Sequence, residues 1–528
     1  MTYSILVSDE LAEEGIDILR EKAMVDVNTG LSEDELVATI ENYDALLVRS
    51  GTQVTERVIE AGKKLRFIGR AGAGVDNIDM NAATRNGIIV ANAPEGNTLA
   101  ATEHTMAMIQ SLCRNIPQAN ASMQAGEWKR SKFMGVELND KTLGVVGLGR
   151  IGREVAKRAT SFNMHIIGYD PFISAEKAAE MGIESMSLDT LFTRADIITV
   201  HTPLIKETRH IVNEKTIATM KDGVRIVNCA RGGIIDEAAL AEAVKSGKVA
   251  GAAIDVFEQE PPKDSPLIGI PAIILTPHLG ASTVEAQKNV SISVAKQCLE
   301  VLAGGDAKYV VNAPIIPSEL HETVEPFAVL GERMGRLMIQ IVEGRALKLE
   351  MVYGGELASL GQSTKLITHM AIKGMLDPIL RFPVNMVNAA YQAKDRGITV
   401  SETTTGESSG YKNLLTMKVT TDTSELTITG SILYKGGARI VSIAGYTMDM
   451  VPEGAVIISR HLDRPGVIGR ASTILGEHQI NIAGMQVGRF QPGEEAIMVL
   501  NVDGDVPESV MEAIRGMPGI YSAKFARI

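Results

Sequence analysis

From Ser4 to about Val90, short apolar runs (SILVS, ALLVRS, LRFIGRAG, GIIVAN) alternate with polar, helix-compatible segments such as SEDELVATIEN. Apolar runs of that length, each followed by a helical pattern, predict β-α-β units and a parallel sheet. A second series starts at Thr142 and continues through GVVGLG, HIIGYD, DIITVHTP, VRIVNCARG, VAGAAIDVF and AIILTPHL. Two sheets are therefore expected before residue 280. Between them, APEGNTLAATEHTMAMIQSLCR opens on a turn and becomes a long apolar-periodic helix, and STVEAQKNVSISVAKQCLEVLAG after Ala281 is another of similar length. Such a pair carries the chain out of one domain and back again, as a hinge.

Near residue 312 the texture changes to long helices (FAVLGERMGRLMIQIVEG, STKLITHMAIKGMLDPIL) and then alternating Thr-rich strands (LLTMKVTTDTSELTITGSIL). That pattern is α+β rather than doubly wound. From about Ala455 the order of elements is β-α-β-β-α-β, the ferredoxin-like arrangement, and it reads as a further separate unit. The expected fold class is α/β, with two doubly wound parallel sheets followed by these two α+β units.

Length agrees with this division, since 528 residues at 45% hydrophobic content exceed a single core. The net charge of -12, with no basic block, argues against nucleic acid or an anionic membrane as the main partner. The start, MTYSILVSDELAEEG, lacks a basic region followed by an apolar core, so a cytoplasmic protein is expected. Cys113, Cys229 and Cys298 form no C-x-x-C pair and suggest neither a disulfide framework nor a metal site. They read as buried small hydrophobes.

The first chemistry lies in Gly147-x-Gly149-x-x-Gly152, between the strand TLGVV and the helix GREVAKRATSF. Glycines there permit a tight turn, close approach of backbone to a pyrophosphate, and tight helix packing, while the helix N-terminus favours negative charge. Asp170 follows at the end of HIIGYD, 18 residues after Gly152. An acid at that place accepts hydrogen bonds from a ribose and repels a 2'-phosphate, which favours NAD over NADP.

Arg231 in NCARGG, Glu260 in FEQEPP and His278 in TPHLGAST fall at strand ends of the same sheet, where ligands of open α/β sheets collect. An imidazole can take a proton from an alcohol while a carboxylate fixes its tautomer, and a guanidinium can grip a substrate carboxylate at two points.

The residues GRAGAGVDNID, LGRIG, VNCARGGIIDE, DVFEQEPP and PHLGAST resemble the D-isomer-specific 2-hydroxyacid dehydrogenases. The resemblance covers the whole chain. It implies a substrate-binding domain made of residues 1–97 and 287–312, a Rossmann-like NAD domain at 98–286, an intervening domain at 313–451, of the allosteric substrate-binding type, and an ACT regulatory domain at 455–528. It also implies NAD-dependent oxidation of 3-phospho-D-glycerate to 3-phosphohydroxypyruvate, the first step of L-serine synthesis. His278 would be the acid/base, Glu260 its partner and Arg231 the carboxylate anchor. Cofactor contacts carried over with the motifs are Gly147, Gly149, Arg150, Ile151, Gly152, Asp170, Thr202, Cys229, Ala230, Arg231, Asp255, His278, Leu279, Gly280 and Ala281. Ala73 stands where many relatives have threonine, which leaves only a backbone contact there.

By the same resemblance, Arg49, Ser50 and Arg70 would hold the substrate phosphate. Arg130, flanked by Lys129 and Lys132, would reach a neighbouring subunit's site in a homotetramer, with Trp128 either at that contact or in a core. His461, Asp463 and Asn481 match the amino-acid-binding interface of ACT domains, with L-serine as the implied effector; assembly alone is the other reading of that domain. His461 is expected in the loop between first strand and first helix. Lys365, Lys373 and Arg381 suggest either an anion site or a solvated face, and His104, His201 and His369 read as structural. Two other functions stay open, a dehydrogenase of another 2-hydroxyacid such as 2-hydroxyglutarate and a non-catalytic NAD-sensing regulator.

Overall fold

The computed structural model describes residues 3–305, 307–314, 316–408, 410–433 and 437–528. The first apolar runs become five parallel strands, β1 (Tyr3–Val7), β2 (Ala23–Val27), β3 (Ala45–Val48), β4 (Phe67–Arg70) and β5 (Ile89–Asn92), in the order β2-β1-β3-β4-β5. Every residue of β3 is buried, as expected of a parallel strand covered on both faces.

The second series forms β6 (Thr142–Val146), β7 (His165–Tyr169), β8 (Glu184–Ser185), β9 (Ile197–Val200), β10 (Val224–Asn228), β11 (Val249–Ile254) and β12 (Ile273–Leu275). These parallel strands lie in the order β12-β11-β10-β9-β6-β7-β8. Chain order reverses between β6 and β9, which opens a crevice at the carboxyl ends of the strands.

Two long helices link the sheets. The Thr98–Arg114 helix buries Met106, Ile109 and Leu112 against Leu143 and Val145 of the second sheet. The Val284–Leu302 helix returns and buries Val290, Val294, Cys298 and Val301 against Ile5, Val7, Leu47 and Phe67 of the first. Each such side chain contributes about 1.5–3 kcal/mol on burial, so the return helix is bound firmly to the first sheet.

The third sheet contains β13 (Ala346–Gly355), β14 (Thr399–Thr405), β15 (Asn413–Thr421), β16 (Glu425–Leu433), β17 (Gly437–Ile443) and β18 (Tyr446–Met450), in the order β14-β13-β15-β16-β17-β18. It is antiparallel except between β13 and β14. The last sheet, β19 (Ala455–Leu462), β20 (Ile482–Arg489), β21 (Glu495–Val502) and β22 (Ile520–Arg527), has the antiparallel order β20-β21-β19-β22. Its Ile457, Met498 and Leu500 pack under the Val467–Glu477 and Glu508–Arg515 helices.

The last domain packs closely on the one before it. Val456, Ile458, Ile497, Val499 and Ala526, on the other face of the last sheet, share one core with Leu330, Met334 and Leu337 of the preceding domain. Gln340 seals the seam, donating through Nε2 to the Arg527 carbonyl (2.9 Å) and accepting at Oε1 from the Arg527 amide (3.0 Å). Among the described residues no helix is long and apolar enough to cross a membrane.

Candidate active site

The glycine turn leaves β6 at Gly147, which has φ +95°, and enters the Arg150–Thr160 helix. A Cβ at Gly152 would lie 2.0 Å from the Gly147 carbonyl oxygen, so only glycine lets the helix approach its own turn this closely. The N-cap of the helix is Gly149, which carries no capping side chain and points into open space. Its first-turn amides are thus presented to an anion, with Arg150 exposed and Ile151 half-buried beside them.

Asp170 stands just past β7, its Oδ2 accepting from the Leu148 amide (2.9 Å) and its Oδ1 from the Phe172 amide (2.8 Å). Thr202, just past β9, has a buried Oγ1 without a hydrogen-bond partner among the described residues. An orphan hydroxyl beside an uncapped helix start and an anchored carboxylate is the donor set a dinucleotide would satisfy, and these residues fit NAD.

The turn after β10 is shaped by Asn228, which donates through Nδ2 to the Arg231 carbonyl (2.8 Å) and accepts from the Ala230 amide (2.9 Å). Burial, reinforced by Asp255, pushes the Cys229 thiol up to about 12, so it stays neutral and the turn offers mainly backbone.

Asp255 organises the loop that carries His278. Its carbonyl accepts from the His278 amide (2.8 Å), and its carboxylate accepts from the Leu279 amide (2.7 Å), the Gly280 amide (2.9 Å) and the Thr276 hydroxyl (2.6 Å). His104, expected to be structural, braces the same carboxylate with Nε2 at 3.2 Å. Burial alone raises the Asp255 pKa, but the hydrogen bonds from His104, Thr276 and Leu279 outweigh it and hold the group below the usual carboxylate range. The side chain has no exposed surface, and its bonds go to the loop that carries His278.

On this loop His278 adopts φ +54°, an uncommon conformation for a residue with a Cβ, held by the bonds from Asp255. Its Nδ1 lies 2.8 Å from Glu260 Oε2, and Glu260 Oε1 accepts from the Phe257 amide (3.1 Å). Burial pushes the Glu260 pKa up, yet the hydrogen bond and charge of His278 pull it net below its ordinary value. With Nδ1–H donated to a carboxylate, Nε2 carries the free lone pair of a base.

His278 and Glu260 open into a cavity of about 480 Å³ whose other wall includes Arg49, Ser50 and Arg70, with Ala281 and Arg231 also at its edge. Burial, and then the nearby Arg231 charge, push Arg70 down to about 10, so it remains a cation at neutral pH. Its Nε is buried and unpartnered among the described residues. Arg231 donates through Nη1 to the Ala230 carbonyl (2.7 Å) and through Nε to Asp76 Oδ2 (3.2 Å). A Cβ at Gly74 would sit 2.2 Å from Arg231 Nη2, so any larger residue there would displace the guanidinium. Ala73 also lines the cavity and its carbonyl accepts from Asn92 Nδ2 (2.5 Å).

Sequence reasoning missed two residues of this wall and one that supports it from behind. Asp76 faces Arg231, Asn77 donates to the Arg49 and Thr52 carbonyls (2.7 Å each), and Asp9 accepts from the Arg49 amide (2.5 Å). Asp76 and Asn77 lie within GRAGAGVDNID, where their polarity was the available signal.

Other expected residues lie apart. Arg130 is exposed on the short Arg130–Phe133 turn and does not line this chain's cleft, and Lys129 pairs with Glu127 (2.7 Å). Trp128 is 75% exposed, which excludes the core role. His201 Nε2 lies 3.0 Å from Thr199 Oγ1, and His369 Nδ1 donates to the Met386 carbonyl (2.7 Å). Lys373 is bound to Glu332 (2.8 Å), whereas Lys365 lines a different cavity with His369, so Lys365, Lys373 and Arg381 do not form one anion site.

In the last domain His461 belongs to β19 rather than to the loop after it, and it is 1% exposed with Nδ1 unpartnered among the described residues. Asp463 accepts from Arg489 Nη1 (2.9 Å). Asn481, bonded to Asp503 Oδ2 (2.8 Å), lies at the opposite end of the sheet, since Leu462 pairs with Glu495 and Ile482 with Val502. The three expected effector residues therefore do not converge within one chain.

Residues 106–280 match the family model of the D-isomer specific 2-hydroxyacid dehydrogenase, NAD binding domain. Residues 323–444 match the D-3-phosphoglycerate dehydrogenase intervening domain, and 455–519 the ACT domain. The D-3-phosphoglycerate dehydrogenase of Methanocaldococcus jannaschii is 49% identical over 517 residues, 98% of each chain. That of Bacillus subtilis is 45% identical over 525 residues, 99% of each. Among solved structures, a glyoxylate reductase from Paecilomyes thermophila has a TM-score of 0.54 at 32% identity, covering 59% of this chain and 98% of its own.

Proposed function

The chain belongs to the D-3-phosphoglycerate dehydrogenase family, and from that premise we propose that it oxidises 3-phospho-D-glycerate to 3-phosphohydroxypyruvate with NAD, opening the route to L-serine. The family resemblance and the fold class read from the motifs are borne out. The observation that carries the reading is the His278–Glu260 pair, 2.8 Å apart, in a cleft that also holds Arg231, Arg70 and Arg49.

NAD, when bound, supplies the acceptor for the hydride that leaves C2. Gly147, Gly149, Gly152, Arg150, Ile151, Asp170, Thr202 and the 229–231 and 278–281 turns would hold it. His278 Nε2 takes the C2 hydroxyl proton, and Glu260 stabilises the imidazolium that results. Arg231 binds the C1 carboxylate in two-point fashion, and Arg49, Ser50 and Arg70 take the phosphate. In this reading residues 1–97 with 287–312 form the substrate unit, and the long crossing helices let it close on the dinucleotide unit.

We propose further a homotetramer with L-serine as effector, and the edge of the last sheet supports one of its contacts. β20 is an edge strand there, and antiparallel pairing of two such edges brings Asn481 of one chain beside Asp463 of the partner subunit. The exposed Trp128 and Arg130 belong to a second contact between chains.

Substrate class is tested by NADH formation from 3-phosphoglycerate and from 2-hydroxyglutarate in the intact protein and in Arg70→Ala. A loss confined to the phosphorylated substrate is the expected result. Equal rates on both substrates, equally reduced in the variant, would make the protein a dehydrogenase of unphosphorylated 2-hydroxyacids.

A further inference from the structure

A cavity of about 840 Å³, larger than the catalytic cleft, lies between the first sheet and the 382–392 stretch of the third domain. Lys63, Lys64 and Arg66 on its first wall precede β4, whose far end carries Arg70 into the cleft. Its walls are tied together. Asn385 Nδ2 donates to the Gly87 carbonyl (2.7 Å) and Gln392 Nε2 to the Arg85 carbonyl (3.3 Å). Asn388 Oδ1 in turn accepts from the Asn385 amide (2.8 Å), so the seam is preformed. A Cβ at Gly87 would lie 2.8 Å from the amide nitrogens of both Asn385 and Asn388, which leaves the seam no slack.

The charges around this cavity are unbalanced. Arg85 is offset by Glu56 and Glu60. Lys63 and Lys64 have neither a hydrogen bond nor an ion pair among the described residues, and Arg66 reaches only the Leu302 carbonyl, at 3.4 Å. Among the described residues, three cations without a carboxylate partner therefore face one cavity in a chain whose net charge is -12. Phe382, 44% exposed, adds an apolar panel opposite them. Cations on one wall, an apolar ring on the other and a volume in the range of small-molecule sites describe a receptor for a charged organic ligand.

We propose that this seam binds a compact phosphorylated metabolite, with its phosphate held by Lys63, Lys64 and Arg66 and its body against Phe382. The site is distinct from the catalytic cleft and does not depend on which hydroxyacid is oxidised there. An occupant bridging both walls favours the arrangement in which the third domain is docked on the substrate unit, and so biases the hinge. β4 links the two sites directly, because Arg66 precedes it and Arg70 ends it, roughly 13 Å apart at about 3.3 Å per residue.

Inorganic pyrophosphate is the probe, titrated calorimetrically into the full-length protein at low ionic strength. The intact protein should take up one more pyrophosphate per chain than the Lys63→Ala/Lys64→Ala variant, or bind it roughly tenfold or more tightly at that site. Turnover without pyrophosphate should be the same in both. Both lysines are exposed, and the Lys63→Arg/Lys64→Arg variant should retain the uptake. Identical isotherms in the intact and alanine proteins, which place all pyrophosphate in the catalytic cleft, overturn the proposal. Failure of the arginine variant to bind overturns it as well.

Discussion

Arg231 bonds through Nε to Asp76 Oδ2 at 3.2 Å, across the cleft from the dinucleotide-binding sheet to the loop after β4. An internal carboxylate thereby occupies the guanidinium edge that a substrate carboxylate needs. Asp76 is 78% exposed, and exposed ion pairs contribute about 0–1 kcal/mol, so an incoming substrate can displace it.

Removing that competitor should help binding. Asp76→Ala is expected to lower KM for the hydroxyacid by up to about fivefold, with kcat and KM for NAD retained. Steady-state kinetics with each substrate varied in turn decides the matter. A raised KM for the hydroxyacid would show instead that Asp76 holds Arg231 in its productive position.

His278→Ala should lower kcat by roughly a hundredfold to ten-thousandfold, the range attributed to a general base, while fluorescence titration still shows NAD binding. Glu260→Gln keeps the shape but removes the charge that stabilises imidazolium, so its kcat should fall between the two. Near-normal turnover in the His278 variant would remove it from the chemistry.

Asp255 acts through the loop it holds. Asp255→Ala removes the acceptor of the part-buried Leu279 amide and the buried Gly280 amide and the shortest bond of the Thr276 hydroxyl, at about 1–3 kcal/mol for each group left buried and unpaired. Both Tm and kcat should drop, and the Leu279 and Gly280 amides should exchange hydrogen faster. Asp255→Asn keeps one acceptor oxygen and should recover part of both. Unchanged exchange at these amides would separate Asp255 from the loop.

The sheets, the glycine turn and the Arg231, Glu260 and His278 set were legible because each rests on a local pattern: an apolar run, a glycine spacing, a polar residue at a strand end. Asp9, Asn77 and Asn228 were not, because they hold neighbouring backbone and their partners are defined only once the chain has folded. Asp255 came only with the motif, as a cofactor contact, and its bonds to the loop that bears His278 are defined by the fold. The tail carried an unread signal. The continuous run AVII in β19 marks a strand covered on both faces, which is why its second face lies in the core of the preceding domain.

His201 gives the fold a defined acid sensitivity. Burial pushes its pKa down from 6.5 to about 4, and its Nε2 lies 3.0 Å from Thr199 Oγ1. Below about pH 6.5 the unfolded chain takes up a proton that the folded chain refuses. Stability is therefore lost as pH falls from about 6.5 to about 4 and levels off once both states are protonated. A shift of this size corresponds to a ceiling of roughly 3 kcal/mol, and the residual contact of His201 with solvent lowers it. His201→Gln removes the titrating group, so its Tm should fall less between pH 7 and pH 5 than that of the intact protein. Parallel Tm profiles for the two proteins over that interval would show that His201 is not the group that titrates.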